Sequence, residues 1–135
     1  MIRRATLDDV PDIMGMAAEF YRMSELPYEF VHRDMADHLA WLTSEGGVFR
    51  SETGAIGGLI QSMPFNASVK FMNGHFWWGP GGDGLRLLRA FEKDSKEQGA
   101  SLMTMNILSS VGEKAEKILK HCGYEPHETG HVRKL

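Results

Sequence analysis

The segment Phe76–Arg89 reads F-W-W-G-P-G-G-D-G-L-R-L-L-R, an apolar stretch that breaks at four glycines and a proline and then resumes as an amphipathic helix. No other part of the chain limits its fold so tightly. A strand that ends in a glycine loop and re-emerges as a helix requires a sheet with a helix laid against it. The first backbone N–H groups of such a helix have no partner within it, and they converge on one spot at the positive end of the helix dipole. Phosphate suits that spot, although a ligand-free β–α connection has the same sequence signature.

The flanking segments supply the rest of an α/β domain. Ile2–Ala5 is a short strand candidate, and Thr6 can cap a helix whose first turn carries Asp8 and Asp9. Val10, Ile13, Met14, Ala17 and Tyr21 recur at helical spacing, leaving Asp12, Glu19 and Arg22 to water. Leu26-Pro27-Tyr28 breaks that pattern. A second helix is expected from about His32 to Ser44, burying Met35, Leu39 and Leu42 and stopping at Glu45-Gly46-Gly47. Val48–Ser51 and Ala55–Met63 read as a hairpin around Glu52-Thr53-Gly54, and Val69–Trp78 as a further strand with a bulge at Asn73-Gly74. The third helix runs from about Gly84 to Gln98, with Leu85, Leu88 and Phe91 inward. Leu102–Leu108 has the apolar character of a buried central strand. The fourth helix, from about Gly112, places Ala115, Ile118, Leu119 and Cys122 inward, and Tyr124–Leu135 is expected to return as one or two strands. The order β-α-α-β-β-β-α-β-α-β predicts a single domain, residues 1–135, with a mixed, mostly antiparallel sheet flanked by helices.

Bulk properties exclude several classes. At 135 residues the chain can bury a core without staples. One cysteine, Cys122, forbids an internal disulfide, the N-terminal stretch lacks the apolar core of a signal peptide, and no apolar run reaches membrane-spanning length. A cytoplasmic protein without membrane partners is expected. The net charge of −3 argues against a general nucleic-acid binder. Charge is uneven: residues 1–60 hold 10 acids against 5 Lys and Arg, residues 61–135 hold 8 against 10, and an anionic ligand would favour the second half. His121, Cys122, His127 and His131 are irregularly spaced for metal ligands, and no metal is expected.

Gly79-Pro80-Gly81-Gly82-Asp83-Gly84 satisfies G-x-G-x-x-G, but the following strand contains no acid to hold a ribose, so a dinucleotide site fails on context. No Gly-Lys-Ser/Thr follows either, as a Walker loop needs. The element order and the loop position instead resemble the GNAT superfamily of acetyl-CoA-dependent N-acetyltransferases over almost the whole chain. In that family a strand and two helices precede a three-stranded meander, whose last strand enters a loop of the form Arg/Gln-x-x-Gly-x-Gly/Ala at the start of a long helix. Gly82-Asp83-Gly84 fits the last three loop positions, Leu85-Arg86-Leu87-Leu88 the helix start, and Gly123-Tyr124 the family's Gly-Phe/Tyr pair.

The resemblance implies direct transfer of an acetyl group from acetyl-CoA, the co-substrate, to an amine on a small molecule or protein. It places the coenzyme pyrophosphate on Gly79, Gly81, Gly82, Asp83, Gly84, Leu85 and Arg86, and the pantetheine along Phe76, Trp77 and Trp78 where the fourth and fifth strands splay. Two positions depart from the family: Gly79 stands at the loop Arg/Gln, and Leu119 where a fourth-helix tyrosine often serves as general acid. Tyr124 is then a candidate proton donor. With no acid between Asn66 and Gly82, His75 is the candidate general base. Glu25, Tyr28 and Glu29 lie where family substrates bind and suit a cationic amine. A homodimer is open, as is the alternative of a non-catalytic binding or assembly module, of a kind plausible among compact bacteriophage chains.

Overall fold

In the computed structural model, which describes residues 1–135, five strands lie in chain order across one sheet: β1 (Arg3–Arg4), β2 (Gly47–Arg50), β3 (Ala55–Met63), β4 (Asn66–Trp78) and β5 (Leu102–Thr104). The first four pair antiparallel, and β5 joins β4 in parallel. Helices α1 (Val10–Met23) and α2 (His32–Glu45) cover one face, while α3 (Gly84–Glu97) and α4 (Glu113–His121) cover the other. The mixed, mostly antiparallel sheet flanked by helices is as the sequence predicts.

Each face has its own core. Ile13 and Met14 of α1 meet Leu39 and Leu42 of α2 over Val48 and Ala55. Leu87, Leu88 and Phe91 of α3 and Leu119 of α4 close over Ile56 and Met72. Complete burial of such side chains is worth about 1.5–3 kcal/mol each. The stripe on α3 is therefore Leu87, Leu88 and Phe91. Leu85 is exposed, a correction to the expected inward face, because the helix start tilts that position toward solvent beside the loop.

Asp9 organises the chain's first quarter. Its carboxylate accepts both guanidinium nitrogens of Arg3 at 2.7 and 2.8 Å, the Thr6 backbone N–H at 2.8 Å, and Arg50 at 3.2 Å. Arg50 also reaches Asp12 at 2.5 Å. A short 3-10 turn (Leu7–Asp9) thus ties β1, β2 and the start of α1 to one buried acid, whose carboxyl is held well below the usual range by Arg3 and the Thr6 N–H.

Three strand boundaries depart from expectation. Pro64-Phe65 forms a two-residue turn that pairs Met63 with Asn66, so β4 begins three residues earlier than its apolar pattern suggests. β5 is an edge strand of three residues rather than a buried central one, since the chain leaves β4 after Thr104 while Met105 folds over Gly74. Residues 124–135 form no strand. Pro126 lacks a donor, Gly130 and the charged residues interrupt any alternation, and the segment from Glu125 onward lies exposed. On α4 only Leu119 is fully buried, with Ala115, Ile118 and Cys122 half-buried.

Candidate active site

The glycine run occupies the turn between β4 and α3, and three of its four glycines are required by their surroundings or their backbone. A Cβ on Gly79 would lie 2.6 Å from the Cα and N of Gly84, so the loop crosses the helix start at a distance only glycine permits. A Cβ on Gly81 would strike Thr53 Oγ1 in the β2–β3 turn. Gly82 has open space around it but a φ of 86°, the left-handed conformation that costs a side chain roughly 1–2 kcal/mol. Two of the loop glycines thus answer to packing, and one to backbone geometry.

The N–H groups of Gly84, Leu85 and Arg86 find no acceptor in the chain. Asp83 occupies the cap position but does not cap: its carboxylate pairs with Arg86, and Arg86 first, with the Ser51 hydroxyl second, holds it below its ordinary range. The acid that would repel an incoming phosphate is neutralised by its neighbour three residues on. Thr53 and Ser51, which buttress the loop from the β2–β3 turn, carried no signal in the sequence because they lie some 30 residues away from it.

Before the loop, β4 changes its surroundings. Phe71, Met72 and Asn73 pair with Leu102, Met103 and Thr104, and beyond them β4 continues to Trp78 with a partner only on its β3 side. The β4–β5 ladder therefore stops at Asn73 and Thr104, leaving a notch in the sheet's hydrogen-bond pattern along the end of β4, where a splay of the fourth and fifth strands was expected. The side chains beside the notch divide between the two cores. Phe76 packs on the α1 and α2 side, Trp77 on the α3 side, and Trp78 meets Phe20 edge-on at 5.6 Å. Trp77 also donates its indole N–H to the Gly84 carbonyl at 3.0 Å, fixing the helix start to the strand end. The chain after β5 is tied to the end of α1 where Ser110 Oγ donates to the Ser24 carbonyl at 2.9 Å.

His75 is the extra residue of a bulge, as the register jumps from Gly57 opposite Phe76 to Gly58 opposite Gly74. The expected bulge at Asn73-Gly74 lies one residue further on. An inserted residue reverses the alternation, and His75 follows Phe76 to the α2 side. There its Nδ1 lies 3.3 Å from His38 Nε2, with Trp41 alongside. Burial first, and the neighbouring His38 imidazole second, push His75 down from its ordinary value and keep its imidazole neutral at neutral pH. The partnership with His38 was invisible in the sequence, which places the two residues 37 positions apart.

The other candidates disperse. Tyr124 donates to Glu92 Oε2 at 3.0 Å and lies 3.1 Å from Met103 Sδ, on the α3 side. Burial and the Glu92 charge push its hydroxyl far upward, so it holds its proton tightly. Glu25 follows the pinned Ser24 with a φ of 48°, an uncommon left-handed conformation for a residue with a side chain. Tyr28 and Glu29 lie exposed beyond it, the Tyr28 carbonyl accepting from Tyr21. No hydrogen bond or ion pair joins His75 to Tyr124, Glu25, Tyr28 or Glu29. No group of three or more His, Cys, Asp or Glu side chains converges as metal ligands would, and no helix is long and apolar enough to cross a membrane.

A meander whose last strand parts from its parallel neighbour and turns through glycines into a helix defines the GNAT acetyltransferase fold. Solved structures bear this out. A predicted acetyltransferase from Clostridium acetobutylicum, solved with acetyl-CoA, superposes with a TM-score of 0.77 at 9% identity, covering 99% of this chain and 95% of its own. A ribosomal-protein-alanine N-acetyltransferase from Brucella melitensis biovar Abortus 2308 gives 0.71 at 12% identity, with 100% and 99% covered. An aminoglycoside acetyltransferase from an uncultured soil metagenomic sample, in complex with sisomicin, gives 0.69 at 14% identity, with 100% and 95% covered. No protein-family model and no curated protein sequence matches the chain. Likeness at these identities establishes the fold, and the chain's own residues must carry any claim about chemistry.

Proposed function

We propose that the protein is an N-acetyltransferase that moves the acetyl group of acetyl-CoA to a primary amine by direct attack. The observation that carries this reading is the unpartnered edge of β4 from His75 to Trp78, which leads straight into the three free N–H groups at the start of α3. An extended amide-bearing chain fits the first, as an added strand would, and a pyrophosphate fits the second. Gly82, with no Cβ and open space, leaves the approach clear. Acetyl-CoA supplies the activated acetyl thioester.

The protein's own part is positioning and proton handling. Backbone amides of Phe76, Trp77 and Trp78 orient the coenzyme arm, and an N–H in this stretch steadies the thioester oxygen as charge grows on it. Gly79 and Gly81 hold the loop against α3 and Thr53, while Asp83 and Arg86 neutralise each other beside the pyrophosphate. His75, neutral at neutral pH, accepts the ammonium proton through water before the amine attacks. Glu25, with Tyr28 and Glu29 further out, draws a cationic acceptor to the end of α1. An aminoglycoside-binding relative of the same fold supports an amine acceptor. Solvent protonates the departing thiolate, since Tyr124 is engaged with Glu92.

A second reading, a GNAT-fold module without catalysis, is favoured by Leu119, which fills the α3-side core where the resemblance leads one to expect a donor tyrosine. One experiment separates the two. Acetyl-CoA and CoA are titrated by calorimetry, and amines are then screened for thiol release. Binding with turnover on any polyamine, aminoglycoside or peptide amine supports the enzyme, binding without turnover supports the module, and no binding at millimolar coenzyme defeats both coenzyme claims.

A further inference from the structure

His38 stands outside everything assigned so far, on the second turn of α2, yet it makes the closest polar contact of the candidate base. His75 Nδ1 and His38 Nε2 are 3.3 Å apart, with ring planes only 18° from parallel and centroids 5.3 Å apart. Two imidazoles at that separation share one proton between the facing nitrogens. Trp41, whose ring centroid is 5.8 Å from that of His38 and 6.4 Å from that of His75, flanks both rings.

The direction of the shared proton decides what the pair can do. If His38 Nε2 donates, His75 Nε2 carries the remaining proton of the neutral ring and has no lone pair to offer. If His75 Nδ1 donates, its Nε2 is a free base. The second arrangement also survives proton uptake, because His75 gaining a proton at Nε2 keeps the same Nδ1–H donor and merely adds charge to it.

We propose that His38 is a positioning residue that accepts the Nδ1–H of His75, fixing the tautomer in which His75 Nε2 is free to take the proton of the acceptor ammonium. This rests on the proposed acetyl transfer, for which it supplies the orientation of the base. The step balances simply. The ammonium N–H bond breaks, the proton passes to His75 Nε2 directly or across one water, and the charged ring is held by neutral His38. After product leaves, His75 Nε2 returns the proton to solvent and the pair is reset. His38 is the titratable group that faces His75 from α2, and the remaining neighbour from that helix, Trp41, does not titrate.

Two readouts test the assignment. Imidazole nitrogen NMR on the full chain, with His75→Ala to identify signals, reads the tautomer without any need for activity. The expected result is a protonated Nδ1 and bare Nε2 on His75 in the wild type, shifting toward a protonated Nε2 in His38→Ala. The pH profile of kcat/KM is the second. His38→Ala removes the group that faces His75 Nδ1, so the acid limb moves and the rate falls about tenfold, a part of the 100-fold or more typical of a general base. His38→Gln, which retains an acceptor, recovers part of the rate. A His75 that carries its proton on Nε2 in the wild type, or an acid limb unmoved in His38→Ala, overturns the proposal. The expected tautomer in a protein that binds acetyl-CoA without turnover would defeat the acetyltransferase reading, and His38's catalytic role with it, while leaving the pairing intact.

Discussion

Substituting alanine at Gly79 and at Gly82 separates two explanations of the glycine loop that its sequence alone cannot. At Gly79 the added Cβ meets backbone at 2.6 Å, and neither Gly84 atom can swing away as a side chain would. The helix start must shift, at the cost of overpacking a tight contact, about 1–3 kcal/mol. At Gly82 nothing lies within 4 Å, and the penalty is the left-handed backbone alone, about 1–2 kcal/mol. Asparagine resolves the overlap in size, since it tolerates that conformation and has no such immunity to a clash. Gly82→Asn should therefore regain most of what Gly82→Ala loses, whereas Gly79→Asn should be no better than Gly79→Ala. For a domain of this length each kcal/mol moves Tm by about 4 °C, so differential scanning fluorimetry resolves the four variants. The same samples titrated with CoA should show Gly79→Ala weakened further than its stability loss implies, through displaced N–H groups. A Gly79→Ala protein with wild-type Tm would refute the close crossing of loop and helix.

Asp9→Asn should destabilise the fold by about 3 kcal/mol, because Arg3 and buried Arg50 lose their shared charge. Asp9's folded carboxyl is depressed, so its contribution is complete above its unfolded value of about 3.9 and is lost as pH falls through that value toward the folded one. Chemical denaturation from pH 7 to pH 3 should accordingly show a shallower acid loss in Asp9→Asn than in the wild type. Trp77→Phe keeps the ring in the α3-side core but deletes the hydrogen bond to Gly84, for a loss of about 1 kcal/mol by urea melt. Arg86→Gln leaves Asp83 unneutralised beside the loop, and calorimetry should show weaker CoA binding, more so at 20 mM than at 300 mM salt as screening predicts. Asp83→Asn should reverse that loss.

What the residues made legible was local. The strand, glycine loop and helix of Phe76–Arg89, the two helices before them and the bulge near Gly74 each rest on spacing within a dozen positions. The element boundaries that failed were those whose evidence was thin in the residues themselves. Tyr124–Leu135 has no strand alternation and contains Pro126, so the strands expected there had no pattern to hold them. Leu102–Leu108 is apolar enough for a central strand, but a strand needs a neighbour, and the chain turns away from β4 after Thr104. The site divided the same way. Its backbone platform could be placed from sequence, whereas the contacts that tune it, His38 on His75, Thr53 on Gly81, Ser51 on Asp83 and Glu92 on Tyr124, join residues from about 30 to 40 positions apart. Asp9 read only as an acid in a helix's first turn, and nothing near it in sequence named Arg50 as its partner.

The notch between β4 and β5 places an open strand edge inside the sheet rather than at its rim. Successive amides of an extended strand point to opposite sides, so past the bulge at His75 the N–H groups from Phe76 to Trp78 face β3 and the gap in turn. Hydrogen exchange on the free protein should therefore alternate residue by residue along this stretch, slow and fast. A ligand lying in the gap as an added strand would abolish that two-residue rhythm, while one bound only at the helix start would leave it untouched, giving a signature of pantetheine engagement that needs neither a known acceptor nor a completed reaction.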